Sequence, residues 1–66
     1  MVSDKDIAKA IRVTCLEIMS HASTIEVCNI GKDELDHRIK RMAAGLNDVR
    51  LFVERLENGL DNHQEV

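Results

Sequence analysis

The chain has almost no aromatic residues and no proline. Phe52 is the only aromatic residue among 66, and there are three glycines. Surfaces that bind single-stranded nucleic acid rely on aromatic rings for base stacking, so this composition argues against such a surface. The lack of proline and the scarcity of glycine suit long helices. No apolar run approaches the roughly 20 residues of a membrane span, so a membrane protein is not expected.

Charge and cysteine content point to the cytoplasm. The formal net charge of −3 disfavours non-specific binding to nucleic acids and to anionic membranes. The polar, acidic segment 1–6 does not resemble a signal peptide. Cys15 and Cys28 fall on one predicted helix about 20 Å apart, too far for a disulfide, which needs Cα atoms within about 7 Å. We therefore predict two reduced thiols and a cytoplasmic protein.

A heptad pattern dominates the second half of the chain. Apolar residues recur at alternating intervals of four and three: Leu35, Ile39, Met42, Leu46, Val49, Val53, Leu56 and Leu60. This spacing predicts a helix over about 33–58 that packs lengthwise on another helix. Asn58 and Gly59 predict its end, and 61–66 is expected to be a polar tail.

The first half predicts a second helix over about 4–29. Ser3 with Asp6 is close to a capping box. One stripe is formed by Ile7, Ile11, Cys15, Ile18, Ala22 and Ile25. Further apolar residues lie outside it, namely Val13, Leu16, Met19 and Val27. This helix is therefore apolar around more of its circumference than one packing partner requires.

The predicted connection is short and centred on Gly31. Gly31 is expected to end the first helix in the left-handed conformation, with Gly31 or Asp33 capping the second. So short a connection makes the two helices antiparallel neighbours in one domain over 1–66. A chain of this size is marginal alone and usually needs a partner subunit or another staple. Both helices carry surplus apolar surface, so we predict an all-α hairpin that forms a homodimeric four-helix bundle.

Two segments admit a second interpretation. Gly45, beside Ala43 and Ala44, either lets another backbone approach a continuous helix or forms a turn that ends it, with Asn47 capping the next helix. Segment 24–30 continues the heptad spacing but also has strand propensity. With 24–30 as strand and helices over 32–44 and 47–59, the chain resembles the ribbon–helix–helix family. That resemblance implies a DNA-binding transcriptional regulator.

Few residues carry a pattern typical of catalysis or metal binding. Glu34 and His37 have the Glu-x-x-His spacing of di-iron bundles, but the predicted register places both on the outer face of the helix. His21 and Cys28 lack a second ligand pair with zinc-site spacing. No phosphate-binding loop or nucleophile elbow occurs. We therefore expect no enzymatic activity, no metal and no cofactor.

The predicted function is that of a small non-enzymatic adaptor or regulatory protein that acts through helix-mediated protein–protein interaction, of a type common in phages and plasmids. The candidate partner-binding residues are Ala44, Leu51 and Phe52 with Arg41, Arg50 and Arg55. The candidate packing seam is Ile11, Ile18, Ile25, Leu35, Ile39, Met42, Leu46, Val49, Val53 and Leu56. A third interpretation is a co-chaperone or antitoxin subunit that folds on a different protein.

Overall fold

The chain forms an elongated hairpin of two helices. The computed structural model describes the backbone of residues 2–63 and the side chains of residues 2–60. Helix α1 spans Asp4–Val27 and helix α2 spans Lys32–His63, and the two pack against each other. The radius of gyration is 15.6 Å, against about 11 Å for a compact domain of this length. The predicted all-α hairpin is confirmed.

A capping box opens α1, as the sequence predicts. The Ser3 hydroxyl accepts a hydrogen bond from the Asp6 backbone N–H at 3.2 Å, and the Asp6 carboxylate accepts one from the Ser3 N–H at 3.5 Å. Two backbone donors that the helix itself cannot satisfy are thus paired. Asp4 and Asp6 also place negative charge in the first turn, where the helix dipole stabilises it.

The turn between the helices differs from the predicted one. Helix α1 ends at Val27, and Cys28 leaves it in an extended conformation with φ −114° and ψ 145°. Its N–H still donates to the Thr24 carbonyl at 3.0 Å. No glycine among the described residues has positive φ, so the left-handed cap predicted at Gly31 is wrong. The extended Cys28 already breaks the helix, and the Gly31 carbonyl instead accepts from the Leu35 N–H at 3.0 Å at the start of α2.

Helix α2 is continuous through both of its glycines. It does not break at Gly45, so the helical interpretation of that segment is correct and the turn is wrong. It also runs past Gly59 to His63, five residues beyond the predicted end. Part of the predicted polar tail is therefore helical, and 64–66 lie outside the described residues. A glycine permits a helix to end but does not require it. The half-buried positions of α2 that face α1 continue to Gly59, which lies beside Asp4.

The interface between the helices keeps every second position of the predicted seam on α2 and moves the others by one residue. The half-buried positions of α2 are Leu35, Arg38, Met42, Gly45, Val49, Phe52, Leu56 and Gly59. Those of α1 include Ile11, Thr14, Ile18, His21 and Ile25, and Ile7 is the one buried residue among those described. The structure therefore agrees with the predicted seam on α1 and departs from it at Ile39, Leu46 and Val53, which are exposed.

Gly45 explains why this register is adopted. A Cβ at Gly45 would lie 3.0 Å from Ile18 Cγ1 and 3.4 Å from Thr14 Cγ2. The missing side chain thus lets α1 approach the α2 backbone closely. A register that put Leu46 in this place would hold the helices further apart, which would weaken the contacts on either side.

Candidate protein interaction surfaces

One edge of the helix interface is polar. Arg41 on α2 donates a hydrogen bond to Glu17 on α1 at 2.8 Å, and both side chains are about half exposed. The same Glu17 carboxylate lies 3.8 Å from Nε2 of His21, one turn along α1. This ion pair marks one edge of the interface, because the two residues occupy equivalent positions on either side of it.

Arg38 and His21 form a polar layer inside the interface. Arg38 donates two hydrogen bonds to Glu34, at 2.9 and 3.0 Å, and lies 3.0 Å from Nδ1 of His21. A guanidinium has no acceptor, so this contact is a hydrogen bond when Nδ1 of His21 accepts it. A polar layer at this depth sets helix register. Glu34 is thus engaged by Arg38, and His37, its partner in the Glu-x-x-His spacing, is exposed.

The opposite edge of the interface is apolar on α2. Four large side chains stand there at seven-residue intervals, and we call them the apolar row: Ile39, Leu46, Val53 and Leu60, with 49, 60, 41 and 66% of their surface exposed. Seven residues are nearly two helical turns, so the four share one face. Ile39, Leu46 and Val53 belong to the predicted packing seam and Leu60 continues its heptad spacing, but α1 leaves all four exposed.

Small residues on α1 share the edge with the apolar row. Ala8, Cys15 and Ala22, here called the small-residue row, also recur every seven residues. In an antiparallel helix pair, equivalent heptad positions face each other along each edge. The Glu17–Arg41 ion pair marks one edge, so these three residues lie on the other, beside the apolar row. Cys15 is half-buried and both alanines are exposed.

The predicted partner-binding residues divide into two groups. Arg41, Ala44, Leu51 and Arg55 follow helical spacing along one exposed face of α2, on the side away from the apolar row, and we call them the side stripe. The other two lie elsewhere. Arg50 hydrogen-bonds Glu54 at 2.7 Å and Asn47 at 3.2 Å. Phe52 is half-buried in the register that faces α1.

The sequence pattern concealed two features of these surfaces. The small-residue row is recognisable only once Cys15 and Leu46 are known to share an edge, which requires the pairing of the helices. The Arg38–His21 contact at 3.0 Å joins residues 17 positions apart. In the sequence, this contact is indicated only by Arg38 and His21 being polar residues at positions of the helix interface that are usually apolar.

The described residues offer no other grouping of chemical interest. They contain no cluster of three or more histidine, cysteine, aspartate or glutamate side chains placed to hold a metal ion. Cys15 and Cys28 are both free thiols. Within the same residues, neither helix has an apolar stretch of the length that crossing a membrane requires.

Comparison with known proteins yields no relative. No protein-family model, no curated protein and no solved structure matches this chain.

Proposed function

We propose that this chain is a small non-enzymatic adaptor or regulatory protein that acts through helix-mediated protein–protein contacts, as a homodimer arranged in a four-helix bundle. The observation that carries the proposal is the amount of surface left open. The hairpin exposes 5407 Å², about 1,200 Å² more than the roughly 4,200 Å² expected of a compact monomer of its mass.

The open surface includes the four large apolar side chains of the apolar row. Burying apolar surface stabilises a protein by about 25 cal/mol per Å², and soluble monomers rarely leave large contiguous apolar patches open. Ile7 alone is buried among the described residues. A hairpin with so small a core gains more from a protein partner than from any small ligand, since the open surface is a long face rather than a cavity.

The two surfaces of α2 suggest a division of roles. The apolar row is the surface whose burial would stabilise the fold, and it suits a permanent contact. The side stripe stays accessible on the other side, with Ala44 and Leu51 between two arginines. An apolar centre with a charged rim is typical of a more transient protein interface. Of the two cations at that rim, Arg41 already pairs with Glu17 at 2.8 Å; the charge of Arg55 favours a partner with an acidic surface.

The proposed dimer is tested by size-exclusion chromatography with light scattering on the purified chain at low micromolar concentration, with circular dichroism on the peak. We expect a single helical species of twice the 7.5 kDa chain mass. A well-folded helical monomer at these concentrations would contradict the dimer. A poorly folded monomer or an aggregate would instead favour the alternative of a subunit that folds on a different protein.

The proposed adaptor role is tested by charge reversal on the side stripe. A photo-cross-linking amino acid at Leu51 identifies the bound protein in host cells, and titration calorimetry then measures its affinity. We expect the double variant Arg41→Glu, Arg55→Glu to bind roughly tenfold more weakly, since rim charges steer and orient association. Because Arg41 also pairs with Glu17, circular dichroism must show that the variant keeps the helicity of the wild type. Lys40→Glu is the matched control, because Lys40 is exposed on α2 but outside the stripe. Equal affinity for all three proteins would rule out the side stripe.

DNA binding through a ribbon–helix–helix arrangement finds less support. That arrangement needs a strand over 24–30. Helix α1 instead runs to Val27, Cys28 and its neighbours form the connection, and residues 2–63 contain no strand. Without a strand there is no ribbon to enter the major groove, so we do not propose this function.

A further inference from the structure

We infer that the second copy binds so that its α1 lies over α2, with the apolar row of each protomer packed on the small-residue row of the other. This rests on the proposed homodimer and adds which faces meet and how they are oriented. The two-fold axis then runs parallel to the helices, and every neighbouring pair of helices in the bundle is antiparallel.

The two rows lie at matching heights along the hairpin. Glu17 contacts Arg41, and Ile18 lies against Gly45. A residue of α1 therefore lies at the same height along the hairpin as the residue of α2 whose number brings the sum to about 60. Ala8 is therefore level with Val53, Cys15 with Leu46, and Ala22 with Ile39. A two-fold axis parallel to the helices preserves height, so each large side chain meets a small one on the second copy.

Size complementarity distinguishes this arrangement from the other symmetric one. A two-fold axis running across the helices would set α2 on α2 and α1 on α1. Leu46 and its row would then meet large side chains, while Cys15 and its row would meet small ones. One half of the interface would be held apart and the other left with voids, both of which lose packing energy. Large against small on both halves fills the space evenly.

The size and edge of the face also suit a second copy. The hairpin measures 54 by 18 by 14 Å, so its broad side offers an area on the order of the 800 Å² that each partner contributes to a stable interface. At mid-height the outer edges are apolar, with Met19 on α1 level with Ala43 on α2. Near one end, Lys5 of each copy lies level with Glu57 of the other, an opposite-charge pair.

At two other edge positions, a charged residue of α2 lies at the same height as a residue of like charge on the second copy. Each of these α2 residues already pairs with an opposite charge within α2. Arg50, which comes level with Arg12 of the second copy, pairs with Glu54 at 2.7 Å. Asp36 of α2 pairs with Lys40 at 2.9 Å. These contacts neutralise the α2 member of each like-charge pair.

A charge placed in the apolar row tests the docking surface. Leu46 is exposed in the hairpin, so Leu46→Glu leaves the contacts between α1 and α2 intact but puts a carboxylate into the dimer interface. We expect light scattering to show a dimer-to-monomer shift, with dissociation at least 100-fold more favourable. Leu51→Glu changes another exposed leucine of α2, on the side stripe, with 42% of its surface exposed against 60% for Leu46; it is the control and should stay dimeric. Dimers from both variants would overturn the proposed surface.

A distance measurement tests the orientation. A spin label is attached to Cys28, which is exposed beside the connection, in the full chain carrying Cys15→Ala. The proposed axis puts both labels at the same end of the bundle, about 20–30 Å apart, whereas the crosswise axis puts them at opposite ends, beyond about 40 Å. The short distance supports the inference. The long distance in a dimer overturns it but leaves the proposed function standing, and a folded wild-type monomer removes the homodimer itself.

Discussion

Replacing Gly45 with leucine is expected to open the hairpin. Even a Cβ there would lie 3.0 and 3.1 Å from two carbons of Ile18 and 3.4 Å from Thr14, and a leucine side chain has no room at all. Overpacking of this kind costs about 3 kcal/mol or more, a large share of the stability of so small a chain. Thermal unfolding followed by circular dichroism should show a midpoint lowered by more than about 10 °C.

Two alanine variants separate the steric effect from helix propensity. Gly59→Ala places its Cβ 3.5 Å from Asp4 Oδ1, an ordinary contact, so it should stabilise the helix by up to about 1 kcal/mol. Gly45→Ala gains the same propensity but must displace Ile18, and should be close to neutral. If Gly45→Leu unfolded at the temperature of Gly59→Ala, the close approach of the helices at Gly45 would be disproved.

Reversing the charge of Arg38 is expected to destabilise the hairpin by about 2 kcal/mol, between the values typical of exposed and of buried ion pairs. The arginine side chain is only 23% exposed. Glutamate at this position would lose the bonds to Glu34 and His21 and would place a third carboxylate near Glu34 and Glu17. Urea unfolding measures the change in free energy.

Lys40→Glu is the matched control for that measurement. Lys40 pairs with Asp36 at 2.9 Å over the same four-residue spacing on the same helix, but its side chain is 75% exposed. An exposed pair contributes about 0.5 kcal/mol or less. Equal losses for the Arg38 and Lys40 variants would show that the polar layer adds nothing beyond ordinary helix pairing.

The sequence predicted the local features of the fold well because each depends on neighbouring residues. The capping box at Ser3, the two helices and their antiparallel connection all follow from short-range spacing and from the shortness of the link. The register failed because the apolar positions of α2 fit two seams. Only the contact of Gly45 with Ile18 and the reach of Arg38 to His21 decide between them, and both are properties of the helix pair.

The candidate surfaces were predicted only where they depend on spacing within one helix. Arg41, Ala44, Leu51 and Arg55 share a face of one helix, which spacing alone reveals. Phe52 lies one step round that helix, and the sequence could not show whether α1 would half-bury it. The small-residue row lies on α1, and its position beside the apolar row of α2 is recognisable only when the two helices are placed side by side.

The short connection between Val27 and Lys32 has a consequence for how the molecule assembles. The first contacts, near Ile25 and Leu35, close a loop of about ten residues, which takes about 10–100 ns, and a helical hairpin then forms within microseconds to milliseconds. Encounter of two chains at micromolar concentration takes about 0.1 to 10 seconds. In the proposed dimer, the hairpin of each newly made chain would therefore close before a second copy arrives, and during that interval any other protein with a matching helix would compete for Leu46.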